Sequence, residues 1–164
     1  TKTMSWAVFE EIETGKKFAV LNAHYALIAA SYNLGSMTNA VEGAQWREDN
    51  SRQMLEKAAE LKNKYNGTLP VMLMGDLNSN RNSKSIQMLE DVYDDSMNVA
   101  TVSKTTGMAS YHSKPGQVPK AGMPIDFIFV DSALINVYRH LIPTDSATAN
   151  ISDHAPVITD ISFK

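Results

Sequence analysis

Four small polar clusters in this sequence carry residue types that do chemistry together. Asn22 and His24 stand two apart, as do Asp76 and Asn78; Asp126 stands alone between Ile125 and Phe127; Asp153 and His154 are adjacent. Residues two apart in an extended chain project to the same side, so each spaced pair would leave a strand as a unit. Imidazole, carboxylate and amide groups are the set that metal-assisted phosphoester hydrolysis needs. Carboxylate oxygens suit Mg²⁺, which keeps several waters and uses one or two acids plus substrate phosphate. A histidine paired with a carboxylate serves as a general base, the acid fixing its tautomer. Each cluster also has an ordinary reading. Gly75-Asp76 and Asn78-Ser79 are common turn formers, and a lone histidine at a strand end is more often structural than catalytic.

The clusters need elements to position them. Val71 to Met74 is an apolar run bounded by Pro70 and Gly75, read as a strand buried on both faces and ending at Asp76. Residues 124–130 form a second such strand, with Asp126 near its start. A carboxylate flanked by Ile and Phe there requires a partner. Residues 4–12 and 17–22 flank a Glu-Thr-Gly-Lys turn and predict a β-hairpin whose second strand delivers Asn22 and His24.

A long connection of mixed character spans 25–43, and a helix is predicted over 44–65, with Trp46, Met54, Leu55, Ala58, Leu61 and Tyr65 near helical spacing and Asn66-Gly67 as its stop. Ser83 is placed as the cap of a shorter helix carrying Ile86, Leu89 and Val92 or Tyr93. Residues 94–107 suggest one helical turn and a loop, and 109–112 a short strand. Residues 135–142 read as an outer strand, and 157–163 as the closing one. The fold class is α/β, a mixed β-sheet with two helices on one face.

Composition excludes several classes. The 164 residues suit one domain or part of one, with 43% apolar and 20% charged residues. A net charge of −3 offers no global basic face for nucleic acid, and the absence of cysteine removes disulfides and thiolate metal sites. No apolar run is long enough to span a membrane, and no signal segment opens the chain.

In order along the chain, Asn22-x-His24, Gly75-Asp76-Leu77-Asn78, Ile125-Asp126-Phe127-Ile128-Phe129 and Ser152-Asp153-His154-Ala155-Pro156-Val157 resemble the motifs of the endonuclease/exonuclease/phosphatase superfamily, the deoxyribonuclease I-like phosphoesterases. Ser110-Tyr111-His112 resembles a Thr-Phe-His element of its bacterial members. The resemblance implies His154 as general base with Asp126 orienting it. Asp76 and Asn78 would hold the nucleophile and phosphate oxygens. His24 would stabilise the transition state, and Asn22 and His112 would face substrate. Asp153 and Asp76 would hold Mg²⁺ or Mn²⁺. It also implies an Asn and a metal-binding Glu from an N-terminal half, for which Glu10, Glu11 and Glu13 beside the hairpin turn are poor substitutes.

The chain is therefore expected to be the C-terminal half of one such domain, half of a four-layer α/β/β/α sandwich, holding its metal weakly and inactive by itself. A catalytically inactive binding module with the same fold is the alternative. Nuclease, sphingomyelinase-like, inositol-phosphatase-like and general phosphodiesterase activities stay open, although an acidic chain is a poor partner for a long polyanion. The two-faced strands carry one more expectation. Two helices cover a single face, and leaving the other in water would exceed a typical net stability of about 5–15 kcal/mol. The missing half, a second copy of the chain, or residues 25–43 rearranged would have to cover it.

Overall fold

The computed structural model describes residues 3–27, 37–146 and 150–164. Strands β1 (Met4–Glu10) and β2 (Lys17–Ala23) form the hairpin, with Glu10 opposite Lys17 and Met4 opposite Ala23. Helix α1 (Met37–Lys64) follows, then β3 (Val71–Asp76), α2 (Lys84–Glu90), the two-residue β4 (Asp94–Asp95), the single turn α3 (Ser96–Val99) and β5 (Ser103–Lys104). Strands β6 (Asp126–Val130), β7 (Ile135–Leu141) and β8 (Ile158–Phe163) complete the order.

One sheet runs β1-β2-β3-β6-β4, with β2 parallel to β3 and β6 antiparallel to it. Helices α1 and α2 cover one face. Ala19, Leu21, Val71, Leu73, Phe127 and Phe129 meet Met54, Ala58, Leu61, Ile86 and Leu89 there in one buried cluster. The inward stripe of α1 falls on Arg47, Ser51, Met54, Ala58 and Leu61, the i, i+4, i+7 spacing of a single helical face. Trp46, expected in that stripe, is one position off it and half exposed. The helix stops where the sequence indicated: Asn66 and Gly67 take φ of 52° and 76°, and the Gly67 amide donates to the Lys62 carbonyl at 2.8 Å. At its other end α1 begins seven residues earlier than 44. The expected connection thus ends in helix from Met37, and residues 28–36 of it lie outside the described residues.

The opposite face corrects an expectation. The chain itself supplies a second sheet, β5-β7-β8, and 135–142 belongs to it rather than to the edge of the first. Ile135 and Val137 of β7 pack with Ile161 and Phe163 of β8 against Phe18, Val20, Met72, Met74, Ile128 and Val130 of the first sheet. Alternation explains the error. Ile135, Val137 and His140 point inward while Tyr138 and Arg139 face out, a pattern shared by an edge strand and by a strand of a packed layer. Coverage is partial, because Phe18, Val20, Met74 and Ile128 remain half-buried and Phe9 is 49% exposed. The described helices include none long and apolar enough to cross a membrane.

His140 lies at this inter-sheet layer, 3% exposed, with Nδ1 2.8 Å from Ser96 Oγ, to which the Thr159 hydroxyl donates at 3.2 Å. Burial holds its ring below the ordinary histidine range; Asp95 opposes the shift and Arg81 adds to it. The unfolded chain therefore binds a proton that the folded one refuses. Stability from this site is present above about pH 6.5 and is lost as pH falls through the folded value, with a limiting slope of about 1.4 kcal/mol per pH unit. Replacing His140 by Gln should flatten the decline of Tm measured between about pH 7 and about pH 5.

Candidate active site

The sheet topology gathers the polar clusters at one edge. Parallel β2 and β3 end side by side, and β6 starts where antiparallel β3 ends, so Asp76 and Asp126 are direct cross-strand partners. Gly75 allows the close approach. Its φ is +135°, and a Cβ there would stand 1.9 Å from the Ala23 carbonyl oxygen. The Tyr25 amide then donates to the Asp76 carbonyl at 2.9 Å, continuing the pairing past the end of β2. Asn78 follows in the left-handed region, φ 45°, its amide donating to Asp76 Oδ1 at 2.9 Å and its Nδ2 to the Tyr25 carbonyl at 3.1 Å.

His154 Nδ1 lies 2.8 Å from Asp126 Oδ2. The carboxylate only accepts, so Nδ1 carries the proton and Nε2 of the neutral ring holds the lone pair. His24 Nε2 is 3.2 Å from Asp76 Oδ2. Ligand atoms of Asp76, Asp126 and His154 all lie within 4.8 Å of one another. These three line a cleft of about 530 Å³ together with Asn22, Met74, Ile128, Ile151, Pro156 and Val157.

Burial raises the Asp126 carboxyl above its usual range; hydrogen bonds from Ser110 and His154 pull it back, and the charge on Asp76 pushes it further up. Two carboxylates side by side thus hold negative charge at a cost that a cation would relieve. Their oxygens, with an imidazole at hand, fit a divalent ion such as Mg²⁺ or Mn²⁺.

Asp153 is not in this group. It adjoins His154, but its backbone carbonyl is occupied by the His112 amide at 2.9 Å and its carboxylate lies 3.4 Å from Ser152 Oγ. His112 is buried, with Nδ1 3.0 Å from the Lys114 carbonyl and Nε2 without a partner among the described residues. Glu11 and Glu13 lie in the hairpin turn and Glu10 pairs with Lys17, at the opposite end of β2 from Asn22. A seven-residue strand puts them about 20 Å from the cleft.

Three residues that the sequence places in motifs, without roles of their own, support the site. Ser110, fully buried, accepts at Oγ from the Ile125 and Asp126 amides at 3.0 and 3.1 Å. Its carbonyl accepts from Ala155 at 2.7 Å, so one serine spans both partners of the Asp126–His154 pair. Ser152 Oγ accepts from the His154 amide at 3.0 Å, a local turn that its spacing could have signalled. The Tyr111 ring stands 5.0 Å from the His154 ring.

This geometry has counterparts. No family model and no curated protein matches the sequence, but solved structures do. An endonuclease/exonuclease/phosphatase from Bacteroides vulgatus superposes with a TM-score of 0.77 at 23% identity, over 99% of this chain and 56% of its own length. The chain has the endonuclease/exonuclease/phosphatase fold. A mannosyl-6-phosphatase from Bacteroides thetaiotaomicron matches at TM-score 0.71 and 24% identity, and the human Nocturnin catalytic domain with bound sulfate at 0.64 and 18%. These cover 99% of this chain and 57% and 53% of their own, so the chain spans a little over half of each structure it matches.

Within this fold two substitutions report on the site's construction. Replacing Gly75 by Ala should destabilise the protein by about 3 kcal/mol or more, read by chemical denaturation, since both backbone angle and space exclude a Cβ. For Asp126 the raised carboxyl pKa makes ionisation favour the unfolded chain. The penalty is absent when both states are protonated and complete above the folded value. Asp126→Asn, which keeps an acceptor for His154, should raise Tm at neutral pH by about 2–4 °C, a gain that disappears near about pH 3.

Proposed function

We propose that this chain is the C-terminal portion of a divalent-metal-dependent phosphoester hydrolase, in which water activated by His154 attacks phosphorus. The observation that carries the reading is the 2.8 Å contact between His154 and Asp126, with Asp76 in the same cluster. Asp126 holds the imidazole with Nδ1 protonated, leaving Nε2 to take a proton from water. His24 flanks Asp76 and offers an N–H donor to the phosphate oxygens as negative charge builds on them, while Asn78, whose Nδ2 donates to the Tyr25 carbonyl and to Asp76, holds the Asp76 carboxylate in place. Asn22 completes the substrate-facing groups, whereas His112 is buried and stands outside the cleft lining.

Asp76 and Asp126 would hold the metal, while Asp153, next to His154 in the chain, stands outside their cluster. When bound, Mg²⁺ or Mn²⁺ neutralises charge on the phosphoryl oxygens and on the two acids. Two carboxylates and waters bind Mg²⁺ weakly, so the isolated chain should hold metal poorly and turn over slowly or not at all. A remaining Glu ligand, and strands to cover the half-exposed residues Phe9, Phe18, Val20 and Met74, would come from an N-terminal portion, consistent with the share of each solved structure that this chain spans. No lysine or arginine lines the cleft among the described residues, which favours a small phosphoester over a long polyanion.

The test uses the chain alone and joined to the segment encoded upstream of it. The joined protein should hydrolyse a generic phosphoester only with Mg²⁺ or Mn²⁺, and His154→Ala should lower kcat by about 10²–10⁴. In the isolated chain, Mn²⁺ should broaden the NMR signals of Asp76 and Asp126 before any others. Turnover indifferent to chelator or to loss of His154 would end the proposal.

A further inference from the structure

The segment that leaves β2 is held from inside the core. Tyr25 follows His24, is 1% exposed, and is bonded on both sides of its backbone to the neighbouring strand end: its amide to the Asp76 carbonyl, its carbonyl to Asn78 Nδ2. Its hydroxyl lies 3.1 Å from Ser51 Oγ of α1. Ser51 Oγ lies 2.8 Å from the Ser85 carbonyl at the start of α2. Ser51 has one proton and the carbonyl can only accept, so that proton goes to Ser85 and the tyrosine supplies the proton for the Tyr25–Ser51 bond. Met54 Sδ, 3.6 Å from the same hydroxyl, is the weaker acceptor.

From Ser85 the path returns to the site. Ser85 Oγ is 2.9 Å from Ser79 Oγ, and Ser79 adjoins Asn78, whose side chain donates to Tyr25. The contacts close a ring: Tyr25, Ser51, Ser85, Ser79, Asn78 and back to Tyr25. Every member is at most 9% exposed. A phenylalanine at 25 would fill the same core with no hydroxyl to satisfy. Buried hydroxyls are costly unless paired, and a fully paired set selects one arrangement of the groups it joins.

We infer that Tyr25 is a positioning residue for His24 and Asn78, acting through this ring of buried hydroxyls. The inference rests on the phosphoesterase reading above for its purpose, but not for its geometry. Asn78 occupies a left-handed backbone conformation, and its side-chain amide donates to the Tyr25 carbonyl and lies on the Asp76 carboxylate. Moving Tyr25 therefore moves the amide beside Asp76 and, one residue earlier in the chain, His24. Burial also pushes the Tyr25 hydroxyl up to about 12, so it keeps its proton at any working pH.

The experiment uses the full 164-residue chain, labelled with ¹⁵N, as wild type, Tyr25→Phe, Ser51→Ala, the double variant, and Tyr93→Phe. Tyr93 is a buried tyrosine of the same core that takes no part in the ring, and so reports general loosening. Hydrogen exchange of the Asn78 side-chain amide and titration with inorganic phosphate, followed at the His24 ring, are the readouts, alongside Tm. Tyr25→Phe should speed Asn78 exchange by about tenfold or more and weaken phosphate binding several-fold. Ser51→Ala should do the same, and the double variant should be no worse than either single one. Tyr93→Phe should shift Tm without touching Asn78. If Tyr25→Phe does not fold, Ser51→Ala decides. Unchanged Asn78 exchange, unchanged phosphate affinity, or equal effects from Tyr93→Phe would overturn the inference. A wild type that binds no phosphate even when joined to the segment encoded upstream and supplied with Mg²⁺ would sink the phosphoesterase reading instead, while Asn78 exchange would still judge the ring.

Discussion

Asp76 and Asp126 face each other across the antiparallel pairing of β3 and β6. Two carboxylates in that relation, one of them substantially buried, repel and desolvate one another, and most of the surrounding site can be understood as an answer to that cost. His154 lies on one acid and His24 on the other. Ser110 accepts from the amide of Asp126, and Asn78 donates its own amide to Asp76. What these groups leave uncompensated is a local negative potential in a cleft without lysine or arginine among its described lining. A cation would relieve that potential, which is the basis of the proposed metal-dependent chemistry.

The same pairing explains why the two strands are apolar on both faces. Residues of β3 alternate between Leu73 and Val71, against the helices, and Met72 and Met74, against the second sheet. A strand buried on both sides is a rigid mount: displacing Asp76 means disturbing two cores at once. Ser110 extends the rigidity to β6 and the segment before β8, because a single buried hydroxyl and carbonyl hold Asp126 and Ala155 together. The polar groups of the cleft therefore come from four chain segments, yet share two layers of packing.

The layer beneath the cleft is finished on one face only. Helices α1 and α2 close the first; β7 and β8 close part of the second, leaving Phe9 exposed and Phe18, Val20 and Met74 half-buried. Stacking of Phe9 on Phe18 and of Phe18 on Phe163, at 5.5 and 4.9 Å, softens the boundary without sealing it. Solved structures of the fold are nearly twice the length of this chain, and the open strip lies beside Asn22 and the cleft.

Local sequence determined the hairpin, the β3 and β6 strands, the end of α1 at Asn66-Gly67 and the order of the four polar clusters. Each follows from short-range rules: alternation, apolar runs, and the freedom of Asn and Gly at positive φ. The pairing of His154 with Asp126 is implied by the resemblance of the four ordered motifs to the endonuclease/exonuclease/phosphatase superfamily, and the 2.8 Å contact agrees with it. Other features needed the tertiary structure. Residues 135–142 look the same as the edge of one sheet or as the middle of another, since an alternating pattern specifies a buried face without naming what buries it. Trp46 and Arg47 exchange roles because a helix's apolar stripe is fixed by its phase against the sheet, not by hydrophobicity alone. Ser51 and Tyr25 carry no signal in sequence, and Ser110 only its place in a motif: a serine or tyrosine becomes structural only when partners many residues away arrive within hydrogen-bond distance, and that meeting is decided by the packing of whole elements.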